Sequence, residues 1–119
     1  MAQSLLIQAS ITNRTNGGFA GSKGVAVTTA GDLHDDIALN VTTSELTHSI
    51  PTSIGNAGYC VIVNDDATNY VDVGFATTVY PLRLPAGGAM VLALTPAAAS
   101  LFLKANTAAC KVRLRVQEA

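Results

Sequence analysis

Cys110-Lys111-Val112-Arg113-Leu114-Arg115-Val116-Gln117 is the stretch that decides the fold class. Apolar and polar residues alternate without a break, which is the two-residue period of a strand buried on one face only. Cys110, Val112, Leu114 and Val116 take one face, and Lys111, Arg113, Arg115 and Gln117 take the other. At the opposite end of the chain, Leu5, Ile7, Ala9 and Ile11 alternate with Leu6, Gln8, Ser10 and Thr12 in the same way. Helical periodicity is nearly absent.

Between these ends lie short β-branched runs, expected as strands over Val25–Thr28, Ile37–Val41, Leu46–Ile50, Tyr59–Val63, Tyr70–Phe75, Val79–Leu84, Ala89–Leu94 and Leu101–Ala105. Turn residues separate most of them: Asn16-Gly17-Gly18, Gly31-Asp32, Pro51 to Gly58, Asn64 to Asn69, Pro85 to Gly88, and Thr95-Pro96. Glycine supplies positive φ in such turns, and Asn or Asp bonds its own backbone. Eight to ten short antiparallel strands with frequent turn signals imply an all-β chain, a sandwich or small barrel. Pro96-Ala97-Ala98-Ala99-Ser100 is expected as one short turn of α- or 3₁₀-helix. The glycine-rich stretch 13–24 reads as a flexible loop or arm.

With 119 residues, the chain suits one domain over 1–119. Its hydrophobic fraction of 49% is too high for a disordered chain. A formal net charge of −1 lacks the basic surplus of a nucleic-acid binder, so no direct nucleic-acid partner is expected. Mean hydropathy is +0.35, yet no apolar run approaches the roughly 18 residues of a spanning helix, so no membrane partner is expected. The N-terminus has neither a basic region nor a long apolar core, and a secretory leader is not expected. Charged residues make up 13% of the chain, about half the usual share, which suggests a surface partly covered by partners. Cys60 and Cys110 sit in apolar runs and read as small buried core residues.

Candidate chemistry is sparse. His34-Asp35-Asp36 offers one imidazole beside two carboxylates, fewer convergent ligands than a metal centre needs, and reads as a solvated turn. His48 reads as a half-exposed sheet residue. Asn64-Asp65-Asp66-Ala67-Thr68-Asn69 is rich in oxygen but lacks the spacing of a calcium loop, and a hairpin turn accounts for it. No Gly-x-Ser-x-Gly elbow or phosphate cradle is present. The expectation is therefore no catalytic, metal or cofactor site and no enzyme. The row Lys111, Arg113, Arg115 is the strongest polar feature. It reads as a solvated sheet face, or as a cationic stripe meeting acidic residues of a neighbouring subunit.

Three blocks carry a family resemblance. Asn64-Asp65-Asp66-Ala67-Thr68-Asn69-Tyr70-Val71-Asp72-Val73-Gly74 resembles a strand, tight turn and strand of small tailed-bacteriophage virion proteins. Tyr80-Pro81-Leu82-Arg83-Leu84-Pro85-Ala86-Gly87-Gly88 resembles their next hairpin. The block from Leu101 to Cys110 is similar to the lead into their last strand. The resemblance covers residues 56–118 and implies a jelly-roll-like β-sandwich. It further implies a virion structural protein made in the host cytoplasm and located in the virion. The function it favours is a capsid decoration or cement protein, binding the major capsid protein or other virion proteins as a homo-oligomer. A tail, neck or fibre-base adaptor is the alternative, and a host-surface or glycan-binding module using Tyr59, Tyr70 or Tyr80 is a second. The expected contact residues are Leu5 and Ile7 of the first strand and Lys111, Arg113 and Arg115 of the last.

Overall fold

A computed structural model describes residues 3–11, 21–29, 34–54, 57–95 and 98–118, with side chains from residue 34 onward except that of Ser53. The chain divides into two compact units, Met1–Asp32 and Leu33–Ala119. The first contains strands β1 (Gln3–Ile11) and β2 (Gly21–Thr29), paired antiparallel from Gln3 opposite Thr29 to Ile11 opposite Gly21. The expected arm over 13–24 is thus corrected at one end. Gly21 to Gly24 pair with Gln8 to Ile11, because a ladder uses backbone groups and glycine supplies them as well as any residue. Residues 12–20 lie outside those described. The sandwich expected over 1–119 belongs to the second unit.

That unit holds β3 (His34–Val41), β4 (Leu46–Ser49), a 3₁₀ turn (Thr52–Ile54), β5 (Ala57–Asn64), β6 (Val71–Gly74), β7 (Leu82–Leu84), β8 (Ala89–Ala93), β9 (Ser100–Ala105) and β10 (Cys110–Glu118). Two antiparallel sheets result, in the orders β3-β10-β5-β8 and β4-β9-β6-β7. The pairings β3 with β10, β4 with β9, β5 with β8 and β6 with β7 are nested like the two arms of one long hairpin. Rolling that hairpin up adds the pairings β10 with β5 and β9 with β6. Eight strands wound this way form a jelly roll, the double-sheet solution that leaves short edges.

The last strand behaves as its alternation requires. Cys110, Val112, Leu114 and Val116 are buried, while Lys111, Arg113 and Arg115 are exposed. The core between the sheets combines Val41, Cys60, Ile62, Val112 and Val116 from one sheet with Val71, Val73, Leu84, Leu101 and Leu103 from the other. Burial of each such side chain is worth about 1.5–3 kcal/mol, and this interleaved layer holds the sheets together.

Three local expectations are corrected. His34, Asp35 and Asp36 open strand β3 instead of forming a turn, since they pair with Gln117, Val116 and Arg115. Asn64 to Asn69 does not close a hairpin, because β5 and β6 lie in different sheets and the segment crosses between them. The same holds for Pro85 to Gly88, which links β7 to β8 across the sandwich. In the Pro96–Ser100 stretch, Ser100 begins β9 and Ala98 N–H bonds the Thr95 carbonyl at 3.0 Å. The short helical turn expected there rests on Pro96 and Ala97, which lie outside the described residues; a 3₁₀ turn is described at Thr52–Ile54.

Both cysteines are unpaired and buried, as expected. Their strands are neighbours, but the register sets Cys60 opposite Val116 and Cys110 opposite Val41, at different levels of the sheet. Burial pushes the Cys60 thiol up to about 12, and it is the thiolate that reacts. At pH 8 the folded protein should therefore leave Cys60 unmodified by a thiol reagent over hours, with both thiols labelled in denaturant. Rapid native labelling of Cys60 would contradict the packing.

Candidate interaction surface

The outward face of the sheet β3-β10-β5-β8 brings together three of the five expected contact residues. Register places Asp36, Arg115, Val61 and Val91 in one row across it, and Ala38, Arg113, Val63 and Ala89 in the next. Tyr59 and Ala93 continue the face beyond Val61 and Val91. Val61 and Val91 are 36% and 43% exposed. The cationic half and the apolar half are thus adjacent strips of one surface.

Two of the three cations, Arg113 and Arg115, are already paired within the chain. Arg113 donates two hydrogen bonds to the Asp65 carboxylate, at 2.7 and 2.9 Å. This fork-to-carboxylate geometry holds Asp65 below the usual carboxylate range. Arg115 donates to Asp36 at 3.2 Å and to the Gln117 side-chain carbonyl at 3.2 Å. The two arginines therefore do not await acids from a neighbour: the chain's own acids reach them from the β5–β6 crossing and from β3. Around these pairs lies an open depression of about 470 Å3 bordered by Asp36, Ala38, Val61, Val63, Arg113 and Arg115. Leu5 and Ile7 lie on β1, opposite Val27 and Val25 in backbone register. Their side chains lie outside the described residues.

Sequence reading overlooked the apolar strip, although its signal is visible. Tyr59-Cys60-Val61-Ile62-Val63 and Ala89-Met90-Val91-Leu92-Ala93 are apolar at both phases of the strand period. A strand covered on one side only should alternate, whereas a continuous apolar run belongs to a strand covered on both. β5 and β8 are adjacent and share this property.

Other polar groups serve structural pairs. His48 and Asp35 meet at 3.0 Å, with their side chains 12% and 21% exposed, and tie β4 to β3 across the two sheets. Arg83 bonds Asp72 at 2.8 Å and lies over the Tyr70 ring at 3.8 Å from its centroid. Tyr80 donates to Glu45. Two of the three tyrosines suggested as sugar platforms are thus engaged within the chain.

A second feature emerges only in three dimensions. Ala76 and Val79 form an isolated bridge around Thr77-Thr78, and Val79 N–H bonds the Ala76 carbonyl at 3.2 Å. Thr78 has φ +58°, a conformation that costs a β-branched residue dearly and that turns ordinarily reserve for Gly or Asn. The loop at Pro85–Gly88 meets the same demand with Gly87, at φ +67°. Glu45, between β3 and β4, holds the strained turn: its carboxylate accepts from Thr77 Oγ1 and Thr78 N–H, each at 2.7 Å, and from the Tyr80 hydroxyl. These bonds, Tyr80's foremost, lower the Glu45 pKa, and the same contact pushes Tyr80 up to about 12.

No family model matches this chain, and no curated protein matches it. Among solved structures, the chain is similar to PliG of Aeromonas hydrophila, a periplasmic lysozyme inhibitor of g-type lysozyme. Identity is 15%, over 73% of this chain and 87% of that one, with a TM-score of 0.42. That neighbour is periplasmic by its description, and against it the expected location, a virion protein made in the host cytoplasm, is withdrawn. A likeness this distant assigns no location in its place.

Proposed function

We propose that this chain is a non-catalytic structural protein of the decoration type, a jelly roll that binds a repeating protein lattice through the outward face of β3-β10-β5-β8. The observation that carries the reading is the doubly apolar pair β5 and β8. Their outward Val61, Val63 and Val91 make a hydrophobic strip beside neutralised arginines, a composition suited to the centre of a protein–protein contact. The resemblance of residues 56–118 to tailed-phage structural proteins makes a major capsid protein the first lattice to try.

Cosedimentation of the purified full chain with empty tailed-phage capsid shells tests this. Binding should saturate at a stoichiometry fixed by the lattice repeat. Combining Val61→Asp with Val91→Asp should abolish it while the melting temperature stays near that of the parent. Binding confined to a few copies per shell would favour the neck or tail adaptor. Absence of binding, or full binding by the double variant, would overturn the reading.

A further inference from the structure

The edge of a sheet offers a row of backbone N–H and C=O groups to any other strand, and proteins guard such edges with charge, proline or brevity. The second unit has four edge strands, β3, β8, β4 and β7. Three of them are guarded. β3 begins His34-Asp35-Asp36. β4 has four residues and carries His48, paired with Asp35. β7 has three, includes Arg83, and lies between Pro81 and Pro85. β8 is the exception: Ala89-Met90-Val91-Leu92-Ala93 contains no charge and no proline, and its ladder with β5 runs without a bulge.

The phase of the ladder fixes what this edge presents. Leu94 N–H bonds the Gly58 carbonyl at 2.7 Å and Asn64 N–H bonds the Gly88 carbonyl at 2.9 Å, so the bonded pairs fall at the even-numbered residues. The N–H and C=O groups of Ala89, Val91 and Ala93 therefore point away from β5, to the side where no described strand is paired. The strand also reads nearly the same in both directions about Val91, with Ala matching Ala and Met matching Leu. A second copy running antiparallel about a two-fold axis at Val91 sets Val91 opposite Val91, Ala89 opposite Ala93 and Met90 opposite Leu92. Every outward backbone group of the three residues then belongs to a pair that exchanges two hydrogen bonds. On the inner side Met90 and Leu92, half-buried against the core, cover one another across the axis. A slip of one residue would set outward side chains against inward ones, so the register is specified. Such a contact, the same on both copies, closes as a pair.

We propose that β8 is a self-association edge, at which two copies of this chain pair antiparallel about Val91 and join their β3-β10-β5-β8 sheets into one. The contact uses the edge of that sheet and not its outward face, and it stands whether or not the lattice reading does. Analytical ultracentrifugation of the full chain over a micromolar range should show a monomer–dimer equilibrium. Val91→Lys and Val91→Glu each set like charges opposite one another across the axis, and each should weaken the dimer roughly fivefold or more while the melting temperature stays near that of the parent. An equimolar mixture of the two variants sets opposite charges in register and should associate more tightly than either alone. Val61→Asp, on the same face but one strand in from the edge, should leave the dimer unchanged. A monomeric parent would overturn the proposal, since the edge would then be bare or covered by another segment of the chain. So would undiminished dimers in both charged variants, or a mixture no tighter than either. Loss of the dimer in Val61→Asp would place the contact on the face and overturn the edge pairing.

Discussion

Replacing Asn64 with alanine should lower the stability of the sandwich by about 3 kcal/mol. Asn64 is fully buried at the end of β5. Its side-chain amide donates to the carbonyls of Asn69 (2.8 Å) and Pro85 (3.2 Å), and its side-chain oxygen accepts from Asp66 N–H at 3.0 Å. One side chain thereby ties the β5–β6 crossing to the β7–β8 crossing, two connections that change sheets at the same end of the roll. Truncation leaves those backbone groups without their partner, at about 1–3 kcal/mol for each one kept from water. Urea titration of Asn64→Ala should show a lower midpoint at unchanged slope. Asn64→Asp separates the donor role from the acceptor role. The new carboxylate could still accept from Asp66 but could not donate, and burial would raise its pKa in the folded state. The folded variant would then bind more protons than the unfolded one just above the ordinary carboxylate range, so its deficit should shrink as pH falls through that window. A deficit independent of pH would mean the amide's donors do not matter.

Such a residue shows what can and cannot be read along a chain. The ten described strands were legible, β10 most clearly from the two-residue period that burial on one face imposes, and β5 and β8 from unbroken apolar, β-branched runs between turn residues. The C-terminal run from Cys110 to Gln117 is the clearest instance, and its buried and exposed phases fall as its pattern requires. Pairing was not legible. A turn sequence such as Asn64-Asp65-Asp66 satisfies the same local hydrogen bonds whether the chain folds back in one sheet or crosses to the other. Only the long-range ladder between β5 and β10 decides that it crosses. His34-Asp35-Asp36 misled for a related reason: charged residues suggest a solvated turn, yet edge strand β3 accepts them, with Asp36 meeting Arg115 and Asp35 meeting His48.

The candidate surface was half legible. Lys111, Arg113 and Arg115 were placed on one face correctly, but the two arginines meet Asp65 and Asp36, distant in sequence, so most of the stripe's charge is balanced within the chain. The apolar strip on β5 and β8 had a local signal in its unbroken hydrophobicity. The Glu45 clamp had none. Its partners lie more than thirty residues away, and threonine at position 78 argues against the very backbone conformation it adopts.

Gly74→Ala should be the more damaging of the two substitutions, and it tests β6 and the turn held by Glu45 together. A Cβ there would stand 1.8 Å from the Val79 carbonyl oxygen and 2.9 Å from its carbon, both backbone atoms that cannot rotate aside. Either the turn lifts off β6 or the strand bends. Lifting the turn moves Thr78 away from Glu45 and gives up the bonds that enforce its positive φ; bending β6 disturbs its ladders with β7 and β9, where Val71 and Val73 are buried. Overpacking against fixed backbone costs about 3 kcal/mol or more, which for a unit of this size is a fall in melting temperature on the order of 15 °C. Glu45→Gln provides the contrast. It keeps the glycine and the shape of the carboxyl group, but it removes the charge and turns one acceptor oxygen into an NH2 donor, so the three acceptor bonds cannot all be kept and the loss of stability should be real but smaller than that of Gly74→Ala. Thermal unfolding of both variants beside the parent should give the order parent, Glu45→Gln, Gly74→Ala from most to least stable. A Gly74→Ala chain that melts with the parent would mean that the turn lifts from β6 without cost, and that the close approach at Gly74 does not hold it.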